Sequence, residues 1–324
     1  MNSLYRTILT KAWSFTKKYK SLWLLGLFLS LLGNAAEYQN LFTQFDRLKN
    51  NPNTYESVIY YINLYSQALY NWWQMPLVNS LAVFLIFLFF ILIVFIIFGL
   101  AFISQAGIIK AVENDDTGKK ITLKNCFIEG ANHFWSVVGI NVLSKALIFI
   151  VLTLFVTPLI STLLVNKSSG GVILAFITLI VFVPISIIIG FVSKYAVAYL
   201  IIQKQKMWPA FVNGWRLFVA NWLISIEMAF FVLIINLCLV FVVSLLALLI
   251  VSPLMLIGMA SYSSSALGII IGICLTIVII IFIFAGAVFS TWQNTAWTML
   301  FLRLETGKAL PKIIRWLASK LLKK

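Results

Sequence analysis

Three charges lie inside apolar stretches of this chain: Lys145, Lys194 and Glu227. Ionised groups are expensive in hydrocarbon, so where they occur they mark polar pathways, ion pairs or ligand sites. A Glu227 carboxylate paired with Lys194 or Lys145 lowers that expense. With Asn141 the three form a candidate polar cluster for an anionic headgroup or solute. A second reading stands beside it. Each charge falls near the basic end of its stretch, with Glu227 close after Trp222, so both lysines can snorkel to the interface while Glu227 makes a structural ion pair. Asn141, Gln105, Gln293 and Asn294 suit either a cavity or hydrogen bonds between helices.

Other chemistry is harder to build. Gly118-Lys119 and Gly307-Lys308 lack the rest of a GxxxxGK[ST] phosphate loop and follow no strand, so a turn is the simpler reading, with glycine supplying the backbone angles. The chain has one histidine, His133, and three scattered cysteines, Cys126, Cys238 and Cys274, which gives neither a zinc site nor a disulfide framework. Glu113, Asp115 and Asp116 read as a solvated turn, and Asn166-Lys167-Ser168 as a polar turn. No nucleophile stands with a base, so neither catalysis nor a cofactor is expected.

The elements that position these residues are membrane helices. Of the 324 residues 62% are hydrophobic and 10% charged, far below the charge of a soluble domain, and runs longer than one span recur. The expected fold is all-α: a polytopic membrane protein with six transmembrane helices, arranged as three repeated hairpins with amphipathic cytosolic interfacial helices. The spans are read as Ser21–Ala36, Leu77–Ser104, Phe134–Val165, Val172–Ile202, Trp222–Gly258 and Leu267–Leu302. Several exceed a straight crossing and must tilt, kink at Pro158, Pro184 or Pro253, or project beyond the bilayer. The first is short and resembles a signal peptide ending at Gly33-Asn34-Ala35. Its long basic start and its place in a pair favour a retained span.

Residues 1–20 carry Leu4, Ile8, Leu9, Ala12, Trp13, Thr16 and Tyr19 on one side and Arg6, Lys11, Lys17 and Lys18 on the other, as a helix lying in the headgroup layer does. Residues 37–76 are rich in Tyr and Trp and read as an external interfacial segment or lid. The net charge of +15 does not point to nucleic acid, because the basic residues cluster at the ends of apolar runs. Segments 1–20, 105–133, 203–221 and 303–324 carry nineteen Lys or Arg against three in 37–76, 166–171 and 259–266, which places both termini in the cytosol.

The even spans end alike, in Phe102-Ile103-Ser104, Phe191-Val192-Ser193 and Val288-Phe289-Ser290. After each comes a lysine-bearing turn: Asp116-Thr117-Gly118-Lys119, Gln205-Lys206 and Glu305-Thr306-Gly307-Lys308. Placing Lys119 on Lys206 aligns Trp135 with Trp222 without a gap and sets Thr122 against Pro209, at the start of a helix. One membrane domain, 1–324, thus divides into units of about 1–118, 119–205 and 206–307, with a basic amphipathic helix over 308–324.

The basic entry Lys17-Lys18-Tyr19-Lys20-Ser21-Leu22-Trp23-Leu24-Leu25-Gly26, with the repeated turn and helix, resembles uncharacterised six-span bacterial membrane proteins similar to the membrane domain attached to some glycerophosphoryl diester phosphodiesterases. Those enzymes catalyse on a separate soluble barrel that has no counterpart here, so no catalytic residue carries over. The resemblance implies a multi-pass module of the bacterial inner membrane concerned with lipids. The expected partners are membrane lipids, with anionic headgroups on the cytosolic side met by Lys17, Lys18, Lys119, Lys206, Lys308, Lys312 and Arg315. The expected function is a non-enzymatic lipid-associated or scaffolding module. The alternative is a transporter or channel with a polar cavity between the repeats.

Overall fold

The computed structural model describes residues 4–30, 63–67, 70 and 71, 77–166, 170–260 and 264–306. Among them regular structure is helical throughout, and five helices are long and apolar enough to cross a membrane. The chain is a multi-pass membrane protein. In order, the helices are α1 (Leu4–Lys18), α2 (Trp23–Leu29), α3 (Leu77–Asp116), α4 (Leu123–Asn132), α5 (Phe134–Asn166), α6 (Gly170–Ile202), α7 (Met207–Ala220), α8 (Trp222–Ala260) and α9 (Ser264–Glu305). The expected sixth crossing is described only up to Ser30, and its remainder lies outside the described residues. So do the signal-like trio 33–35, most of segment 37–76 and the terminal helix 308–324.

Helix α3 runs on past Ser104 to Asp116, so the acidic cluster belongs to a helix rather than to a turn. At 1.5 Å per residue its 40 residues span about 60 Å, twice the ~30 Å of a hydrocarbon core. Helices α6 and α8 continue through Pro184 and Pro253.

The chain forms two compact units. One comprises Leu32–Leu100 and Val142–Gly190. In this unit α3 is exposed at most positions from Leu81 to Leu100, as lipid-facing surfaces are, while α5 and α6 mix exposed and half-buried positions around one narrow buried stripe each: Ser144 and Ile148 on α5, Phe182 and Ser186 on α6.

The other unit comprises Met1–Leu31, Ala101–Asn141 and Phe191–Lys324. Here glycines let short helices seat directly on the backbone of long ones. Gly26 of α2 meets the Ala287 carbonyl and the Thr291 hydroxyl of α9. Gly130 of α4 meets the Ile103 carbonyl of α3. A Cβ at Gly214 of α7 would stand 3.0 Å from the Val192 carbonyl oxygen of α6 and 2.9 Å from the Ala196 nitrogen. Ile103 and Val192 are the middle residues of the Phe-x-Ser signatures, and Ala287 immediately precedes the third. The signatures therefore coincide with seats for short helices.

Helix α1 completes this unit. It buries Tyr5, Ile8, Ala12, Phe15 and Thr16, a face rotated from the expected one, while Trp13 is exposed. The rotation follows from its partner: α1 packs on α9 as well as facing solvent or lipid. Trp292 donates Nε1–H to the Leu9 carbonyl (3.3 Å), and the Thr291 hydroxyl reaches the Leu22 carbonyl (3.3 Å). Trp23 Nε1–H closes the corner after α1 on the Thr16 carbonyl (2.9 Å).

The lysine-bearing turns differ from the gapless alignment. After α3, Gly118 has φ +70°, Lys119 N–H donates to the Asn114 carbonyl (2.8 Å) and Gly118 N–H to that of Asp115 (3.3 Å), a Schellman close. After α6 the left-handed residue is Lys204, with φ +52°. Lys204 therefore stands where Gly118 does, and the partner of Lys119 is Gln205 rather than Lys206. Thr122 is the N-cap of α4, accepting from the Asn125 N–H (3.3 Å), and Lys206 is the N-cap of α7. Pro209 is the third residue of its helix, where a missing N–H is still harmless. The second turn is two residues shorter and α7 four residues longer than α4. The two offsets nearly cancel, which is why the tryptophans still matched.

Candidate functional site

The four residues of the sequence-derived cluster have different surroundings. Lys145 stands on an exposed face of α5, in the lipid-facing unit. Lys194 is half-buried on α6 with its ammonium 4.4 Å from the centroid of the Trp297 ring. Its partner is aromatic, and among the described residues it makes no ion pair with Glu227. A ring face offers a desolvated ammonium roughly 2 kcal/mol of attraction without burying a second charge. Glu227 is half-buried on α8. Asn141 donates from Nδ2 to Gln105 Oε1 (3.0 Å) and to the Val137 carbonyl (2.9 Å), an inter-helix bond between α5 and α3. Asn294 bonds within its own helix, to the Ser290 carbonyl (3.0 Å).

A cleft does exist elsewhere in the same unit, with a volume of about 650 Å³, within the range of small-ligand sites. Three helices frame it. From α1 come Thr7, Lys11, Ser14 and Lys18, spaced as one polar stripe beside the buried Ile8 and Phe15. From α3 come Val112, Asp115 and Asp116, and from α9 Met299, Leu302, Arg303 and Thr306. The floor is apolar and the rim charged.

The rim is partly neutralised from within. Tyr19 donates its hydroxyl to Asp115 (2.9 Å), and Lys18 Nζ lies 3.6 Å from the same carboxylate and 4.8 Å from the Tyr19 ring centroid. The Tyr19 hydroxyl first, and then the Asp115 charge, hold the Lys18 ammonium above its ordinary value. Lys110 reaches Glu113 at 2.9 Å. Acidic groups in the last turn of a helix oppose the negative end of its dipole, so these partners offset a local conflict. Three rim charges remain. Lys11, Arg303 and Asp116 are exposed and, among the described residues, form no ion pair.

Of the expected lipid contacts, Lys17, Lys119 and Lys206 are exposed, and Lys17 Nζ lies over Trp13 at 5.2 Å. Lys18 is exposed as well but tied to Asp115. Lys308, Lys312 and Arg315 lie outside the described residues. Sequence reasoning missed the cleft because its walls are brought together from residues 7–18, 112–116 and 299–306. The available signal was the spacing of Thr7, Lys11, Ser14 and Lys18, which repeats every turn.

Comparison with family models, with curated proteins and with solved structures finds no match for this chain. The functional reading therefore stands on the residues themselves.

Proposed function

We propose that this protein is a non-enzymatic membrane module that holds anionic lipid against a fixed basic ridge on its cytosolic face. The observation that carries it is the construction of α1. Its apolar face is built into the body through Tyr5, Ile8, Ala12 and Phe15, while Arg6, Lys11, Lys17, Lys18 and Lys20 remain exposed. A ridge so anchored cannot turn its charges away from the headgroup layer, and each lysine near an anionic surface contributes about 1 kcal/mol.

Exposed tryptophans accompany the cations: Trp13 on α1, Trp208 and Trp215 on α7, and Trp135 and Trp222 at the starts of α5 and α8. Tryptophan prefers the headgroup level, so these rings support setting α1, α4 and α7 at one interface. Lys119, Lys120, Lys124 and Lys206 are exposed beside them. The excess of Lys and Arg in these segments supports the cytosolic side. In this reading the module is built from three hairpin units, with α2, α4 and α7 each seated by a glycine on the inward end of an even-numbered span. The packing of α1 and α2 supports their retention in the folded chain.

The test is reconstitution of the whole chain into neutral and anionic bilayers. Anionic lipid should raise its thermal stability and dominate the co-purified lipid, and added salt should erase both effects. Indifference to headgroup charge sinks the reading.

A further inference from the structure

The ridge explains a diffuse attraction, yet the cleft between α1, α3 and α9 has a more particular charge pattern. Its rim leaves two cations, Lys11 and Arg303, and one carboxylate, Asp116, without an ion-pair partner among the described residues. Asp115 is excluded from this count because Tyr19 and Lys18 already hold it. Two cations suit a phosphate, Arg by its planar fork and Lys as a point charge. A lone carboxylate near the carbonyl ends of α3 repels any further negative charge and attracts an ammonium with N–H donors. The floor, Ile8, Phe15, Val112 and Leu302, is apolar and suits the glycerol end of an amphiphile. A quaternary amine fits worse: it has no N–H to give, and among the described residues Phe15 is the only aromatic ring lining the cleft where recognition would need a cage.

We propose that this cleft holds the headgroup of a single ethanolamine phospholipid, its phosphate between Lys11 and Arg303 and its ammonium at Asp116. The site relies on the proposed function only for setting α1 at headgroup level. Its preference, zwitterionic over anionic, is the opposite of the ridge's.

The experiment uses the full chain in nanodiscs containing equal parts phosphatidylethanolamine, phosphatidylcholine and phosphatidylglycerol, released into mild detergent, with bound lipid counted by native mass spectrometry. The expected result is one retained ethanolamine lipid, enriched about tenfold over the other two, as charge-assisted hydrogen bonds allow. Lys11→Gln or Arg303→Gln should remove the enrichment. Asp116→Asn, a change at an exposed position, should shift retention to phosphatidylglycerol. Lys17→Gln, a ridge substitution outside the cleft, should lower retained phosphatidylglycerol and leave the single ethanolamine lipid in place. Retention at the bulk ratio, or an enrichment that survives all three cleft variants, overturns the proposal. Displacement by excess inorganic phosphate but not by detergent-dispersed ethanolamine lipid would make the ligand a free phosphate and overturn the lipid assignment. Loss of the anionic-bilayer stabilisation with ethanolamine retention intact counts against the ridge alone.

Discussion

Trp292 donates its indole N–H to the carbonyl of Leu9 across 3.3 Å, although the two lie 283 residues apart in the chain. With Thr291 on Leu22 and Gly26 against Ala287, this bond fastens the first helix to the last long one. Trp292→Phe keeps an aromatic ring but removes the donor and leaves part of the buried indole's space empty, so it should cost about 1–2 kcal/mol. Gly26→Ala drives a Cβ into the α9 backbone and should cost about 1–3 kcal/mol. Melting in detergent checks the order of the two. Tryptic cutting at Lys17–Lys20 should accelerate more in Gly26→Ala than in Trp292→Phe.

Lys204 occupies a left-handed conformation that glycine fills at the corresponding turn, Gly118. A non-glycine residue there costs about 1–2 kcal/mol, partly offset because glycine loses more entropy on folding. Lys204→Gly should therefore stabilise the protein by ~0.5 kcal/mol or slightly more. Gly118→Ala should destabilise it by about 1 kcal/mol through backbone strain alone, since a Cβ there meets nothing within 4 Å. Opposite shifts in melting temperature are the expected outcome.

The long helices α5, α6, α8 and α9 were legible in sequence because each is a continuous apolar run, and their ends fall within a few residues of those read from it. The extension of α3 beyond Ser104 was not, because Lys110, Glu113, Asp115 and Asp116 look like a loop until Lys110–Glu113 and Tyr19–Asp115 pair them. The buried face of α1 is rotated from the one its sequence suggests, since Tyr5 and Phe15 become core only in the folded body, Tyr5 with its ring 5.2 Å from that of Phe231 on α8. For Lys194 the sequence offers a carboxylate partner or a snorkel to the interface. Its actual partner, Trp297, is 103 residues away on another helix, and spacing alone cannot disclose that.

Cys126 is buried in α4, with its carbonyl against Gly107, and burial raises its thiol from 9.0 to about 11. The raised value means that the neutral thiol stabilises the fold. That contribution is complete below pH 9 and is lost as pH rises through about 11. Near neutral pH the thiolate fraction falls about a hundredfold. With Cys238 and Cys274 replaced by Ser, alkylation of folded Cys126 should be at least that much slower than in denaturant. Equal rates contradict its placement.

The interaction of Lys194 with Trp297 also separates the two functional readings. A transport cavity would wet Lys194. A cation held on a ring half-buried among helices should be protected. Lys194→Cys should resist a membrane-impermeant thiol reagent in intact vesicles, and Lys194→Met should keep the fold with a loss of roughly 1–2 kcal/mol. Rapid labelling of Lys194→Cys from the aqueous phase would favour the cavity.

The central claim is that the basic ridge of α1, together with the exposed Lys119 and Lys206, holds anionic lipid. The most direct measurement compares the melting temperature of the wild type with that of a Lys17→Gln, Lys119→Gln, Lys206→Gln variant, each in neutral and in anionic nanodiscs. These three lysines are exposed, so the folded body should survive their loss. The account predicts that the gain on passing from neutral to anionic lipid shrinks in the variant and vanishes for both proteins at high salt. An equal gain in wild type and variant, or one insensitive to salt, would contradict it.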